Sequence, residues 1–135
     1  RRSRFRGYIH LKIIPGCSDE AIRQSLYLAN AVSLNIESPG EDSFRHLTTS
    51  KDYSRDIMRP VRLISRLRAK GASCAHVHQT TQFVVGASIE TDKQIINHSY
   101  ELYKDLGFSR VYFSAYQRGG GAGDLPGERS KATNE

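Results

Sequence analysis

The segment 31–37, AVSLNIE, ends in the two side chains best suited to hold a polar ligand. Asn35 and Glu37 lie two residues apart, so a β-strand would put both on one face. Asn35 donates and accepts hydrogen bonds, and an ionised Glu37 accepts them from a hydroxyl or an ammonium group. The plainer reading is an ordinary strand-end cap. The same two-residue spacing recurs elsewhere. His10 and Lys12 share a face in 5–14, and Tyr112, Ser114 and Tyr116 share one in 110–116. Lys12 facing an enclosed space would be costly unless paired. Glu37 on the neighbouring strand is its natural partner, and a bound phosphate is the alternative. Tyr112 and Tyr116 suit stacking on a base or gating a cavity, and equally suit a core.

A fourth segment, 79–92, QTTQFVVGASIETD, combines a strand, a small-residue turn and a helix start. Gln82 precedes the apolar run Phe83, Val84 and Val85, which breaks at Gly86. Thr91 with Gln94 three residues on forms a capping box. Ligands in α/β folds sit where strands end and helices begin, because small residues let the backbone approach and helix N–H groups point outward. An ordinary βα turn looks the same.

Two further groupings carry weaker signals. Cys74, His76 and His78 alternate, and a strand would place them on one side. No second cluster is spaced to complete a zinc site, so we assign no metal ligands. Lys51, Arg55, Arg59, Arg62, Arg66 and Lys70 recur every three or four residues and would form a basic stripe on a helix. With a net charge of +6 and Arg1, Arg2, Arg4 and Arg6 at the start, attraction to a phosphate backbone is plausible. A merely solvated face, partly paired to Asp52 and Asp56, is the common alternative.

Alternating periods locate the elements that must position these groups. Strands are expected at 5–14, 31–37, 79–86 and 110–116. Helices are expected from Ser18 as N-cap to about Asn30, over 51–71 with a kink or split at Pro60, and from Thr91 to about Leu106 with Gly107 as C-cap. Their buried residues are expected to be Ile22, Leu26 and Ala29; Ile57, Val61, Ile64 and Leu67; and Ile95, Ile96, Leu102 and Tyr103. The stretch 41–50 reads as a loop or short helical turn. The order βαβαβαβ implies parallel strands joined by right-handed crossovers. One face of three strands is polar, so we expect the helices on the other face and a ligand-lined lumen, as in a partial barrel. A small open sheet with one wet face is the alternative.

Composition is consistent with a single unit. The chain has 135 residues, 38% hydrophobic and 25% charged, enough to build a core. No apolar run reaches membrane-spanning length. His10 and Lys12 interrupt the one stretch that mimics a signal peptide. Two cysteines, Cys17 and Cys74, suggest a reducing, cytoplasmic setting. The start at Arg1 suggests a fragment or a processed product. Residues 1–117 read as the folded part, and 118–135 as a flexible Gly-rich charged tail.

The segments GYIHLKIIPG, AVSLNIESP, TTQFVVGASIETDKQI and RVYFSAY, in this order and spacing, resemble the later part of a radical S-adenosylmethionine (SAM) domain. They are most similar to the radical SAM family named for DNA modification and repair, over residues 5–116. The resemblance implies a fragment of a partial (β/α)6 TIM-like barrel, roughly its third to sixth strands, with the remaining strands from missing upstream sequence. It also implies S-adenosylmethionine and a [4Fe-4S] cluster in the intact protein. The CxxxCxxC cluster motif is absent from this chain. By similarity, Asn35 and Glu37 contact the ribose or amino-acid part of the cofactor, and the backbone of Val84, Val85 and Gly86 its adenine. Gln82 stands where many relatives have glycine. His10, Lys12, Gln82, Tyr112, Ser114 and Tyr116 would face substrate, and Arg55, Arg59, Arg62 and Arg66 would contact nucleic acid.

Two functions from different classes fit these residues. One is a fragment of a radical SAM enzyme, inactive alone. The other is a stand-alone α/β module that binds a nucleotide or nucleic acid without catalysis. A CxxxCxxC motif in the upstream coding sequence would favour the first, and a start codon close to Arg1 the second. No nucleophile or acid–base pair stands out.

Overall fold

The computed structural model describes residues 5–117. Strand β1 (His10–Lys12) leads to helix α1 (Asp19–Leu28) and strand β2 (Ala31–Ser33). A short helix α2 (Glu41–Arg45), a π-helical segment (Tyr53–Met58) and helix α3 (Arg59–Leu67) follow. Strand β3 (His78–Val85), helix α4 (Asp92–Leu106) and strand β4 (Arg110–Ala115) complete the order. All strand pairs are parallel and the sheet runs β1-β2-β3-β4. The fold is therefore mixed α/β, a four-stranded parallel sheet with helices between the strands. The tail assigned to 118–135 lies outside the described residues.

Local chemistry sets the helix ends. The Ser18 hydroxyl accepts from the Ala21 N–H, and Asp19 and Glu20 occupy the first turn, where the helix dipole favours negative charge. Thr91 and Gln94 form the reciprocal capping box, and Gly107 takes the left-handed conformation that closes α4. Pro60 stands in the first turn of α3, where its missing N–H costs nothing. The expected long helix thus divides just before it, and the part ahead is wound as a π-helix.

Helices α1, α3 and α4 pack side by side. Beneath them lie Ile13, Val32, Leu34, Ile36, Phe83 and Val111, all buried. Strand residues of the other parity include exposed His10, Lys12 and Tyr112, so that sheet face is bare. Among the residues expected to be buried in α4, Ile95 and Leu102 are buried, whereas Ile96 is 66% and Tyr103 45% exposed. Ser99 takes the intervening inward position. No helix lies beyond α4 among the described residues to cover Ile96.

Two expected strands are shorter than their patterns. In β1 only His10–Lys12 pairs as a ladder; just before it Ile9 N–H donates to the Asn30 side-chain oxygen at 2.8 Å, and Ile9 O accepts from Asn30 N at 2.8 Å. In β2 the ladder leaves its regular course after Leu34. The Ile36 N–H donates to the Thr81 hydroxyl at 3.0 Å instead of to a backbone carbonyl. Pairing resumes at Glu37, whose N–H donates to Gln82 O at 3.0 Å and whose carbonyl accepts from Val84 N at 2.8 Å. Inward–outward alternation survives the interruption: Leu34 and Ile36 stay buried, and Asn35 and Glu37 stay half-buried.

Arg68, which the sequence did not single out, fastens the opposite end of the sheet. Its guanidinium donates to the carbonyls of Val77 and Gly107, to the Gln79 side-chain oxygen at 3.0 Å and to the Ser109 hydroxyl at 3.5 Å. Buried Gln79 completes its amide by donating to Val61 O at 3.1 Å. One side chain thereby joins α3, the start of β3 and the entry to β4.

Candidate functional site

A cavity of about 350 Å3 opens at the C-terminal ends of β1 and β2. Its polar lining is Lys12, Asn35, Glu37, Thr48 and Lys51, and its apolar wall includes Ile13, Phe44, Leu47 and Ile57. Helix α2 and the loop after it bring Phe44, Leu47 and Thr48 over the strand ends. The irregular course of β2 delivers Asn35 and Glu37.

Glu37 has φ of 67°, the only positive value at a non-glycine position among the described residues. The Ser38 N–H donates to Ile36 O at 2.9 Å, which closes a γ-turn centred on Glu37. Positive-φ γ-turns are rare and strained for residues with a Cβ. Such strain, of order 1–3 kcal/mol, persists only where the surroundings enforce it, and it clusters at ligand sites. Here the bonds to Gln82 and Val84 on either side of Glu37 enforce it. The next residue, Ser38, is fully buried, and its hydroxyl has no hydrogen-bond partner among the described residues.

The expected pairing of Lys12 with Glu37 does not form. Among the described residues Lys12 makes no ion pair, and it lies exposed on the open sheet face. Val84, Val85 and Gly86 do not line the cavity. Val84 N–H is held by Glu37 O, Val85 O accepts from Tyr116 N at 2.9 Å, and Gly86 N–H donates to Glu90 Oε1 at 2.9 Å. Those groups are engaged within the fold and are not free to pair with a base. His10, Gln82, Tyr112, Ser114 and Tyr116 lie outside the cavity too. The Gln82 amide donates to the Ser114 hydroxyl at 3.1 Å across β3 and β4.

The basic series is not one stripe. The π-helical winding over Tyr53–Met58 breaks the spacing that would stack Arg55 above Arg59. Arg55 pairs with Asp56, and Arg59 crosses to Asp19 of α1 at 2.7 Å. Arg66 is exposed, and Arg62 borders a second cavity. Cys74, His76 and His78 do not share a strand face either, since 72–76 forms turns and only His78 enters β3. Among the described residues no cluster of His, Cys, Asp or Glu could hold a metal ion.

The second cavity, about 330 Å3, lies between the π-helical segment and α4. The buried Tyr53 hydroxyl meets His98 Nε2 at 3.1 Å, and His98 Nδ1 lies 3.6 Å from Glu101. Burial pushes the Tyr53 hydroxyl up to about 12, so it stays protonated and donates. Burial also holds His98 below the ordinary 6.5, outweighing the opposing pull of Glu101. Both shifts favour a neutral imidazole that accepts at Nε2. The unfolded chain therefore binds this proton more readily than the fold does. The His98 contribution to stability is complete above pH 6.5 and declines as the pH falls through that value toward the lower native one. Urea midpoints measured from pH 8 to pH 5 should fall toward acid, and His98→Gln should flatten the decline. An unaltered decline in His98→Gln would assign it to other groups.

Comparison with protein-family profiles, with curated proteins and with solved structures finds no match. The parallel α/β sheet and its strand-end cavity therefore stand on their own geometry. No helix among the described residues is long and apolar enough to cross a membrane.

Proposed function

We propose that the cavity at the ends of β1 and β2 is a cofactor site, and that the chain is part of a radical S-adenosylmethionine enzyme. The observation that carries this reading is the convergence of Asn35 and strained Glu37 on one cavity. Its donor set suits the polar part of S-adenosylmethionine. Glu37 would accept from the ammonium group or a ribose hydroxyl, and Asn35 from or to the ribose. Ile13, Phe44 and Ile57 offer an apolar wall for the thioether and the base. Lys12 and Lys51 would attract the carboxylate. The strand order and single helical layer suit an arc of a partial barrel acting in the cytoplasm, with the family resemblance pointing to nucleic acid as substrate.

The same residues do not fit a [4Fe-4S] cluster. Clusters take three or four thiolates, and the chain has Cys17 and Cys74 alone. Burial pushes the Cys17 thiol up, away from the thiolate form a metal needs. Cluster ligands would have to come from outside this chain, and no reaction step is assigned through them. This chain's own residues bind and orient the cofactor.

Calorimetric titration of the chain with S-adenosylmethionine tests the reading. A hydrogen bond to a charged group contributes about 1.5–3 kcal/mol. Asn35→Ala and Glu37→Ala should each weaken binding roughly ten- to a hundredfold. Glu37→Gly should lose the same affinity yet gain up to about 1 kcal/mol of stability, because glycine tolerates positive φ. Variants that bind like the parent would remove the cofactor assignment.

A further inference from the structure

The bare face of the sheet carries a second recess at the other end of the strands. It is a trough of about 430 Å3 lined by Tyr8, His78, Thr80, Ser109, Arg110 and Tyr112. The pairing register explains its shape. One row across the sheet is His10, Ala31 and His78, and the next is Lys12, Ser33, Thr80 and Arg110. The small side chains Ala31, Ser33 and Thr80 of the two central strands form the floor, and His78 with long side chains beside the outer strands forms the banks. Ala31 and Thr80 are accordingly buried, although no helix covers this face.

The banks combine two kinds of chemistry. Tyr8 is 66% and Tyr112 45% exposed, both large rings left open to solvent. The Arg110 guanidinium lies over the Tyr112 ring, 5.7 Å from its centre, and reaches the hydroxyl at 3.4 Å. The Ser109 hydroxyl lies 3.2 Å from His78 Nδ1. Arg110 and the His78 imidazole line the trough, and neither row contributes a carboxylate. Glu37 lies at the far end of the strands.

Open aromatic rings beside cations, without opposing acids, recognise planar bases joined by phosphates. We infer that the trough binds an unpaired stretch of single-stranded nucleic acid, with a base on Tyr112 and a phosphate on Arg110. Bases held in a duplex present no free ring face to Tyr112, so the site selects single strands. The trough thereby takes the role that the spacing of Arg55, Arg59, Arg62 and Arg66 suggested for a helix face. It does not rest on the cofactor reading, because the two recesses occupy opposite ends of the strands.

The test is fluorescence anisotropy of a labelled oligothymidylate of about ten nucleotides with the full chain. Base–aromatic stacking is worth about 1–3 kcal/mol per base, so Tyr112→Ala should weaken binding about tenfold or more. Tyr112→Phe, which keeps the ring, should bind like the parent. Arg110→Ala should lower affinity and reduce the salt dependence. Arg66→Ala should change neither. Tyr112 is half exposed, so thermal unfolding of the variants should match the parent. Undiminished binding by Tyr112→Ala would overturn the inference. Equal affinity for the matching duplex would overturn it as well, as would equally effective competition by thymidine monophosphate or polyglutamate. Loss of S-adenosylmethionine binding in Glu37→Ala with oligothymidylate binding retained would separate the two sites.

Discussion

Replacing Phe83 with alanine is expected to destabilise the chain by about 3–5 kcal/mol, the range for emptying a buried aromatic site. Phe83 is fully buried at the centre of the sheet. Its ring lies 6.1 Å from that of Phe113 and 5.9 Å from that of His98, so it joins β4 and α4 to the middle of the core. It is also the partner of Glu37 in an isolated parallel bridge beyond β2. A void there loses dispersion contacts and loosens the strand end that delivers Glu37. Phe83→Ala should therefore lower ligand affinity together with stability, whereas Phe83→Leu should cost only about 1–2 kcal/mol. Urea unfolding of both variants measures this. Indistinguishable midpoints for Phe83→Ala and the parent would mean that the ring does not hold the core.

Arg68→Ala should have the next largest effect, about 2–4 kcal/mol, for a different reason. Its truncation leaves the Val77 and Gly107 carbonyls and the buried Gln79 oxygen without their charged donor. Unpaired acceptors cost about 1–3 kcal/mol each when water cannot reach them, and the sum is reduced where it can. Burial lowers the Arg68 pKa, but a guanidinium stays charged under all ordinary conditions. The cost should thus be the same at pH 6 and pH 9. Arg68→Lys should recover only part of it, since one ammonium cannot match the forked geometry. Full recovery by lysine would show that charge alone suffices. The companion change Gln79→Leu should be milder in the Arg68→Ala background than in the parent, because the two side chains satisfy each other.

The parallel strand order followed from the alternation of strands and helices along the chain. The capping residues Ser18 and Thr91 and the terminal Gly107 were legible because each depends on neighbours a few positions away. The sharing of one face by Asn35 and Glu37 was legible for the same reason, as period-two alternation survived the break in β2. The break itself was not. It depends on Thr81 offering its hydroxyl to Ile36, a contact between residues far apart in the chain. The backbone groups of Val84, Val85 and Gly86 were taken as open to a ligand, whereas Val84 N–H, Val85 O and Gly86 N–H are held by Glu37, Tyr116 and Glu90. Side-chain spacing carries no record of such engagements. Arg68 lies within the expected helix over 51–71 but outside its basic series, and only the meeting of α3 with the starts of β3 and β4 gives it its role. Ile96 and Tyr103 were placed inward by a period that fits several rotations of α4 equally well.

The sheet that runs in strict sequence order also sets how unevenly the chain must close on itself. Lys12 meets Ser33 across a short crossover, and Thr80 meets Arg110 across one somewhat longer. The span from Ser33 to Thr80 is roughly twice the first, and each doubling adds about 0.6 kcal/mol of closure entropy. That span also has the least regular segment to organise, with α2 and a π-helical turn inside it. The β3–α4–β4 unit pairs over six positions, whereas β2 meets β3 over three. The carboxy-terminal βαβ unit should therefore form early and serve as the template onto which the amino-terminal half docks late. Pulsed hydrogen exchange during refolding would show amides of β3 and β4 protected before those of β1 and β2. The cavity at the ends of β1 and β2 would then be among the last features of the molecule to assemble.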